Sequence, residues 1–137
     1  MVNQLISFET AKIAKEKGFE DLCFYYYDSQ ETLNEPFLEN GSSTDVEYRV
    51  GLTDLLENHN RSHWSTFSAP TQSELQKWLR EKHNIIVLVD IFPTPQNYQE
   101  FKYSVSNNIL PCGITTDLYD TYEEALEIGL QEALKLI

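Results

Sequence analysis

Apolar positions recur along this chain with two periods, and the changes between them mark out its elements. Phe8, Ala11 and Ala14 share one narrow face at helical spacing, which predicts a helix over 7–17. Ser7 stands where an N-cap belongs, Glu9 lies in the first turn, Lys15 and Lys17 in the last, and Gly18 follows as the exit residue. Leu22-Cys23-Phe24-Tyr25-Tyr26-Tyr27 then runs into Asp28-Ser29-Gln30, the pattern of an aromatic strand entering a turn. Thr32 and Leu33 begin a return strand.

The best-punctuated stretch comes later. Thr71 and Glu74 have the spacing of a capping box, with Pro70 just outside it as a staple for Leu75. Leu75, Trp78 and Leu79 form a buried stripe, Arg80, Lys82 and His83 suit the negative end of the helix dipole, and Asn84 tolerates a left-handed exit. This predicts a helix over 71–83 delivered almost directly into a strand. Ile85 to Phe92 is apolar on both faces apart from Asp90, the pattern of a central strand. Pro93 to Asn97 turns the chain, and Phe101, Tyr103 and Val105 alternate with polar neighbours as a half-exposed antiparallel partner does.

Thr121 and Glu124 open a second capping box at the head of a helix over 122–137. Its apolar face runs from Tyr122 through Leu126, Leu130 and Leu134 to Leu136 and Ile137. Gly129 lies mid-face, where a missing side chain permits close approach of another element. The order helix, strand, turn, strand occurs over 7–33 and again over 71–106, a recurrence of an ordinary motif with little sequence match. Together these elements predict a single α+β domain over 1–137. A mainly antiparallel sheet from 22–27, 85–92 and 99–106 would be packed by helices at 7–17, 71–83 and 122–137.

Residues 34–67 resist this reading. Pro36, Asn40-Gly41-Ser42-Ser43 and Asn58-His59-Asn60-Arg61-Ser62 are loop punctuation, Val46, Tyr48 and Val50 alternate as a short strand would, and Thr53 to Glu57 has the length of one helical turn. A long segment of this kind inside a domain is a place to look for function.

Charge changes the picture most. The formal net charge of −12 argues against a nucleic-acid binder, which needs clustered cations for phosphates. Residues 20–57 hold ten acids and one Arg, a local −9, whereas 58–116 hold five Lys or Arg against four acids. The plain reading is a solvated acidic surface; the sharper one is a face that meets a basic protein partner or imitates DNA. Asp45 and Glu47 lie in that segment. The run of tyrosines could stack on bases, but the local charge would repel a nucleic-acid backbone, so packing is the better reading. Cys23 and Cys112 form no CxxC pair, and Cys23 inside the aromatic pattern reads as a buried thiol. No apolar run approaches the ~20 residues of a membrane span and no leader pattern opens the chain, so a cytoplasmic protein is expected.

Candidate chemistry is sparse. His59 and His63 are four apart near Asp54 and Glu57, a spacing that on a helix could place two imidazoles on a metal. The Asn60-Arg61-Ser62 between them reads as loop, and the Glu of an HExxH hydrolase is missing. No GxSxG elbow or Gly-rich phosphate loop occurs, so an enzyme is unsupported and no cofactor is expected. Trp64, beside His63, is either a binding hot spot or packs back onto the domain, and packing is expected.

The stretch 68–85 resembles a group of small uncharacterised proteins encoded by gut Bacteroidota and their prophages. The resemblance extends to Ser7-Phe8-Glu9-Thr10-Ala11-Lys12, Tyr25-Tyr26-Tyr27-Asp28 and Thr121-Tyr122-Glu123-Glu124-Ala125-Leu126-Glu127. It implies a mobile-element context and carries no activity, cofactor or site. The expected function is therefore that of a non-enzymatic interaction or accessory protein of a phage or mobile element. The alternatives are an acidic DNA-mimic inhibitor of a host nuclease or restriction enzyme, and a metal-dependent hydrolase using His59 and His63.

Overall fold

The computed structural model describes residues 4–35, 56–93, 95, 99–107, 113–114 and 117–137. The fold is α+β, with antiparallel pairing in each of two small sheets. The predicted single sheet is thus divided, because the aromatic strand and the 86–106 hairpin belong to different groups of contacts. Ser7–Pro70 forms one compact unit, and Met1–Ile6 with Thr71–Ile137 forms the other.

In the 7–70 unit, helix α1 (Phe8–Glu16) starts as its sequence dictates. Ser7 Oγ accepts the Thr10 amide at 3.3 Å, and Gly18 leaves the helix at φ +88°, where a side chain would be strained. Thr10, Ala11 and Ala14 are its buried face. The aromatic strand is short: β1 (Tyr26–Tyr27) lies between β2 (Leu33–Asn34) and β3 (Phe67–Ser68). Phe8 packs edge-on against Tyr27 at 5.7 Å and Phe67 at 5.3 Å, so the aromatic residues fasten helix to sheet. The Asp28 carboxylate accepts the amides of Thr32 and Gln30 and the Asn34 side-chain amide. The bonds from Thr32 and Asn34 are the main reason its pKa falls below the usual carboxylate value. Cys23 is a buried thiol whose backbone bridges to Glu57. Where punctuation predicts loop, a four-residue helix α2 (His59–Ser62) forms, because Asn58 Oδ1 caps it by accepting the Asn60 amide. Leu56 and Glu57 are not helical. The strand expected at Val46, Tyr48 and Val50, most of the turn predicted from Thr53, and Cys112 lie outside the described residues.

In the other unit, helix α3 (Gln72–His83) has both halves of its capping box: Glu74 N to Thr71 Oγ1 at 3.1 Å and Thr71 N to Glu74 Oε2 at 2.8 Å. Asn84 ends it at φ 54°, ψ 35°, and two residues later β4 (Ile86–Pro93) begins. β4 pairs along its whole length with β5 (Gln99–Ser106), which also pairs with β6 (Gly113–Ile114). Among the described residues the strand order β4-β5-β6 puts β4 at an edge, correcting the central position its apolar pattern predicts. The reason is visible in its burial: Val87 is closed off, whereas Ile86, Leu88 and Phe92 on the other face stay 43%, 53% and 45% exposed. Helix α4 (Tyr122–Leu134) covers the Val87 end of the Val87 face, while Ile91 farther along the same face stays 57% exposed. Its buried residues are Ala125, Leu126, Gly129, Leu130, Ala133 and Leu134. It ends before the tail of the predicted apolar face, so Leu136 and Ile137 are exposed, as is Tyr122 at its head. Gln4 and Leu5 join this unit, with Gln72 N donating to Gln4 O at 2.8 Å and Leu5 bridging Thr71.

Gly129 sets the depth of the helix on the sheet. A Cβ built there would lie 2.9 Å from Val87 Cγ1 and 3.1 Å from Tyr103 Cβ, closer than packed carbons tolerate. Alanine would gain about 1 kcal/mol of helix propensity, but overpacking a close-packed core costs about 1–3 kcal/mol. Tyr103 Cβ is fixed by its strand and cannot swing aside. Gly129→Ala should therefore lower stability by about 1 kcal/mol in urea denaturation, and Gly129→Val by more; a more stable alanine variant would contradict this packing.

Candidate functional site

The most exposed large apolar side chain among the described residues, Trp64, stands on a short connection between α2 and β3. Its backbone is held firmly. Lys15, from the last turn of α1, donates from Nζ to His63 O at 3.0 Å, Trp64 O at 2.9 Å and Thr66 O at 2.7 Å. The same ammonium lies 4.8 Å from the centre of the Phe67 ring. Three donors meet three acceptors, and burial pulls the Lys15 pKa below its ordinary value. Thr66 Oγ1 adds bonds to His59 O at 2.6 Å and His63 O at 3.1 Å.

Asn60 secures the other side. Its Nδ2 donates to Phe19 O and its Oδ1 accepts the Ser68 amide, each at 2.8 Å, so α2 is tied both to the exit of α1 and to β3. A polar groove of about 300 Å³ runs beside these residues, lined by Lys15, Gly18, Phe19, Glu20, Asn58, Asn60 and Arg61. An exposed ion pair, Arg61 to Glu20 at 3.7 Å, crosses its rim. Exposed pairs of this kind add little stability.

The indole itself is not packed back under the loop, as the sequence leads one to expect. It is 82% exposed and stacks on the His63 ring at 5.7 Å and 30°. The physical reason is the lysine clasp: with the carbonyls of His63, Trp64 and Thr66 all turned to one ammonium, the connection is fixed by its backbone and needs no apolar anchor. Lys15 was legible only as a charge suited to the helix dipole. Nothing local to it, or to the 63–66 stretch, signals partners 48 to 51 residues away.

The two histidines have separate surroundings. His59 is buried, stacked on Tyr26 at 4.4 Å, and its Nε2–H donates to Cys23 O at 2.9 Å. His63 follows the end of α2 in extended conformation, φ −158° and ψ 146°, so the helical i, i+4 face is not formed. Its Nδ1 accepts the Ser65 amide at 3.1 Å and lies 2.6 Å from Ser65 Oγ. Among the described residues, no group of three or more His, Cys, Asp or Glu side chains is placed to hold a metal ion. Asp45 and Glu47 lie outside the described residues. Among those described, no helix is long and apolar enough to cross a membrane. No family model, curated protein or solved structure matches the chain.

Two outcomes follow from this geometry. Replacing Lys15 by Met removes charged hydrogen bonds of the kind worth about 1.5–3 kcal/mol each when buried and less at a partly exposed site. Stability should fall by about 1–2 kcal/mol, and protease cleavage at 63–66 should become faster; unchanged cleavage would show that the clasp does not hold the loop. Desolvation lowers the His59 pKa below its ordinary 6.5, outweighing the bond to Cys23 and the nearby Glu57 charge. The unfolded chain then binds the extra proton first. Stability from neutral His59 is complete above the unfolded value and declines as pH falls through the folded value. Melting curves across this range should show the decline in the native chain, with a shallower slope in His59→Phe.

Proposed function

We propose that this chain is a non-enzymatic interaction protein, an accessory of a phage or mobile element working in the cytoplasm, and that Trp64 is the centre of its contact with a protein partner. The observation that carries the reading is the pairing of an indole 82% exposed with a backbone fastened by Lys15. A large exposed aromatic on a mobile loop loses much of its contact energy to ordering. On a loop already ordered, that cost is met on folding. Tryptophan is also the residue most enriched among those that dominate binding energy.

The partner's expected chemistry comes from charge. A chain of net charge −12 attracts a protein with a basic face and orients it before contact. The cations near Trp64 do not oppose this strongly, because Lys15 faces three carbonyls and Arg61 faces Glu20. Charge then governs encounter, and the indole governs residence.

Affinity capture from host lysate at low and high salt, with native chain and Trp64→Ala side by side, tests this. The native chain should retain a partner whose recovery falls with salt. The variant should bind it at least about thirtyfold more weakly, the loss of roughly 2 kcal/mol expected at a hot spot, with unchanged melting. Equal capture by both chains, or no partner at any ionic strength, would overturn the reading.

A further inference from the structure

One face of the β4–β5 ribbon is covered by α4 around Val87, Tyr103 and Val105, though Ile91 farther along it is 57% exposed, and the other face is bare along β4. Val87 and Tyr103 meet α4 at Gly129, and Val105 is buried beside them. The alternate residues of β4, namely Ile86, Leu88, Asp90 and Phe92, point to the opposite side, where three of the four are large and apolar and about half exposed. Natural sheets protect such surfaces with charge or a covering element. Here β4 carries a single charge, Asp90, and its partner strand adds Lys102 and Glu100 to the same face.

From this bare face we infer that a second copy of the chain packs against it, sheet on sheet, to form a twofold dimer. Charge selects this occupant. Asp90 stands directly opposite Lys102 in the register, and the Lys102 ammonium lies over the Phe92 ring at 4.4 Å, which holds it on the same face. A twofold axis parallel to the strands, centred between β4 and β5, stacks β4 of each copy over β5 of the other. Residues that are level within one ribbon then face each other across the interface. Asp90 of each copy meets Lys102 of the other, Ile86 and Leu88 cover Ser106 and Ser104, and Phe92 lies over Glu100, whose carboxylate stands at the end of the ribbon. The face is thus complementary to itself within a chain whose net charge would otherwise oppose self-association.

Pairing through the β4 edge is the less favoured geometry. Gln76 Nε2 already donates to Val87 O at 2.6 Å, which occupies a backbone acceptor at the start of the strand. An edge-to-edge dimer would also leave the apolar face in water. Packed sheets stand ~10 Å apart, a gap that Asp and Lys side chains reaching from opposite sides can span. The ribbon is roughly 27 Å long and 10 Å wide. That is less than the ~800 Å² per partner of a standard interface, so association should depend on concentration.

Sedimentation velocity of the full chain, from low to high micromolar concentration, reads this directly. The native chain should shift from monomer to dimer. Leu88→Lys should weaken the dimer at least about tenfold without altering circular dichroism. The discriminating experiment mixes two singly substituted chains. Asp90→Lys and Lys102→Asp should each be monomeric alone, because each places like charges across the interface. Their mixture should form a heterodimer, because both contacts between positions 90 and 102 are then opposite in sign. Restoring the pair within one chain cannot produce that result, since both chains keep a like-charged pair in their own ribbon. A native chain that stays monomeric throughout, or a dimer that the mixture fails to recover, would overturn the inference.

Discussion

A lysine ammonium has three N–H donors and no acceptor, so its full desolvation requires three oxygens in a near-tetrahedral arrangement. Lys15 finds them in the carbonyls of His63, Trp64 and Thr66. Much of the 7–70 unit depends on this match. The helix that carries Lys15 also carries Phe8, whose ring lies between Tyr27 and Phe67, so the register of α1 against the sheet and the path of the loop are set together. Strands of two residues cannot provide such order by themselves. The charge in the last turn, the aromatic pair and the Asn60 bonds supply what the sheet lacks.

The second unit reaches order by another route. Two of its strands are eight residues long, and its constraint is steric rather than electrostatic. With no side chain at Gly129, α4 sinks until it touches Val87 and Tyr103. Close approach on one side is efficient for a small core, since it buries Ala125, Leu126, Leu130, Ala133 and Leu134 of the helix. It gives nothing to the other side of the same two strands. A three-stranded sheet covered on one face retains Ile86, Leu88 and Phe92 in water. The glycine that makes the core tight and the bare face thus belong to the same economy of a short chain.

What was legible in the sequence was local. Ser7, Thr71 and Thr121 cap the helices they were expected to cap, and Gly18 and Asn84 take the left-handed conformations their positions require. These arrangements involve neighbours within a turn, where residue type fixes geometry. The β4–β5 hairpin was legible for a related reason, since its two strands are contiguous and patterned. Which sheet Tyr26 and Tyr27 would join was not legible, because their partners Phe67 and Ser68 lie some forty residues on. The apolar pattern of 85–92 encoded burial on two sides, and the unit's own elements satisfy only one. Asn58 and Asn60 read as loop formers, and they act instead as a helix cap and a tie between elements, roles that depend on where their oxygens and amides find partners. The exposure of Trp64 was illegible because its cause, Lys15, is remote in sequence.

The bond between Gln72 and Gln4, and the Leu5–Thr71 bridge beside it, have a topological meaning. They join the chain just before Ser7 to the chain just after Pro70, so the polypeptide leaves and re-enters one body at neighbouring points. The 7–70 segment hangs from that closure in the manner of an insertion, a pattern tolerated where two ends of a surface excursion come together. The loop-closure entropy of so long an excursion grows only logarithmically with its length. The residues that carry Trp64 could therefore diverge, lengthen or be exchanged while the helix–hairpin–helix body kept its shape.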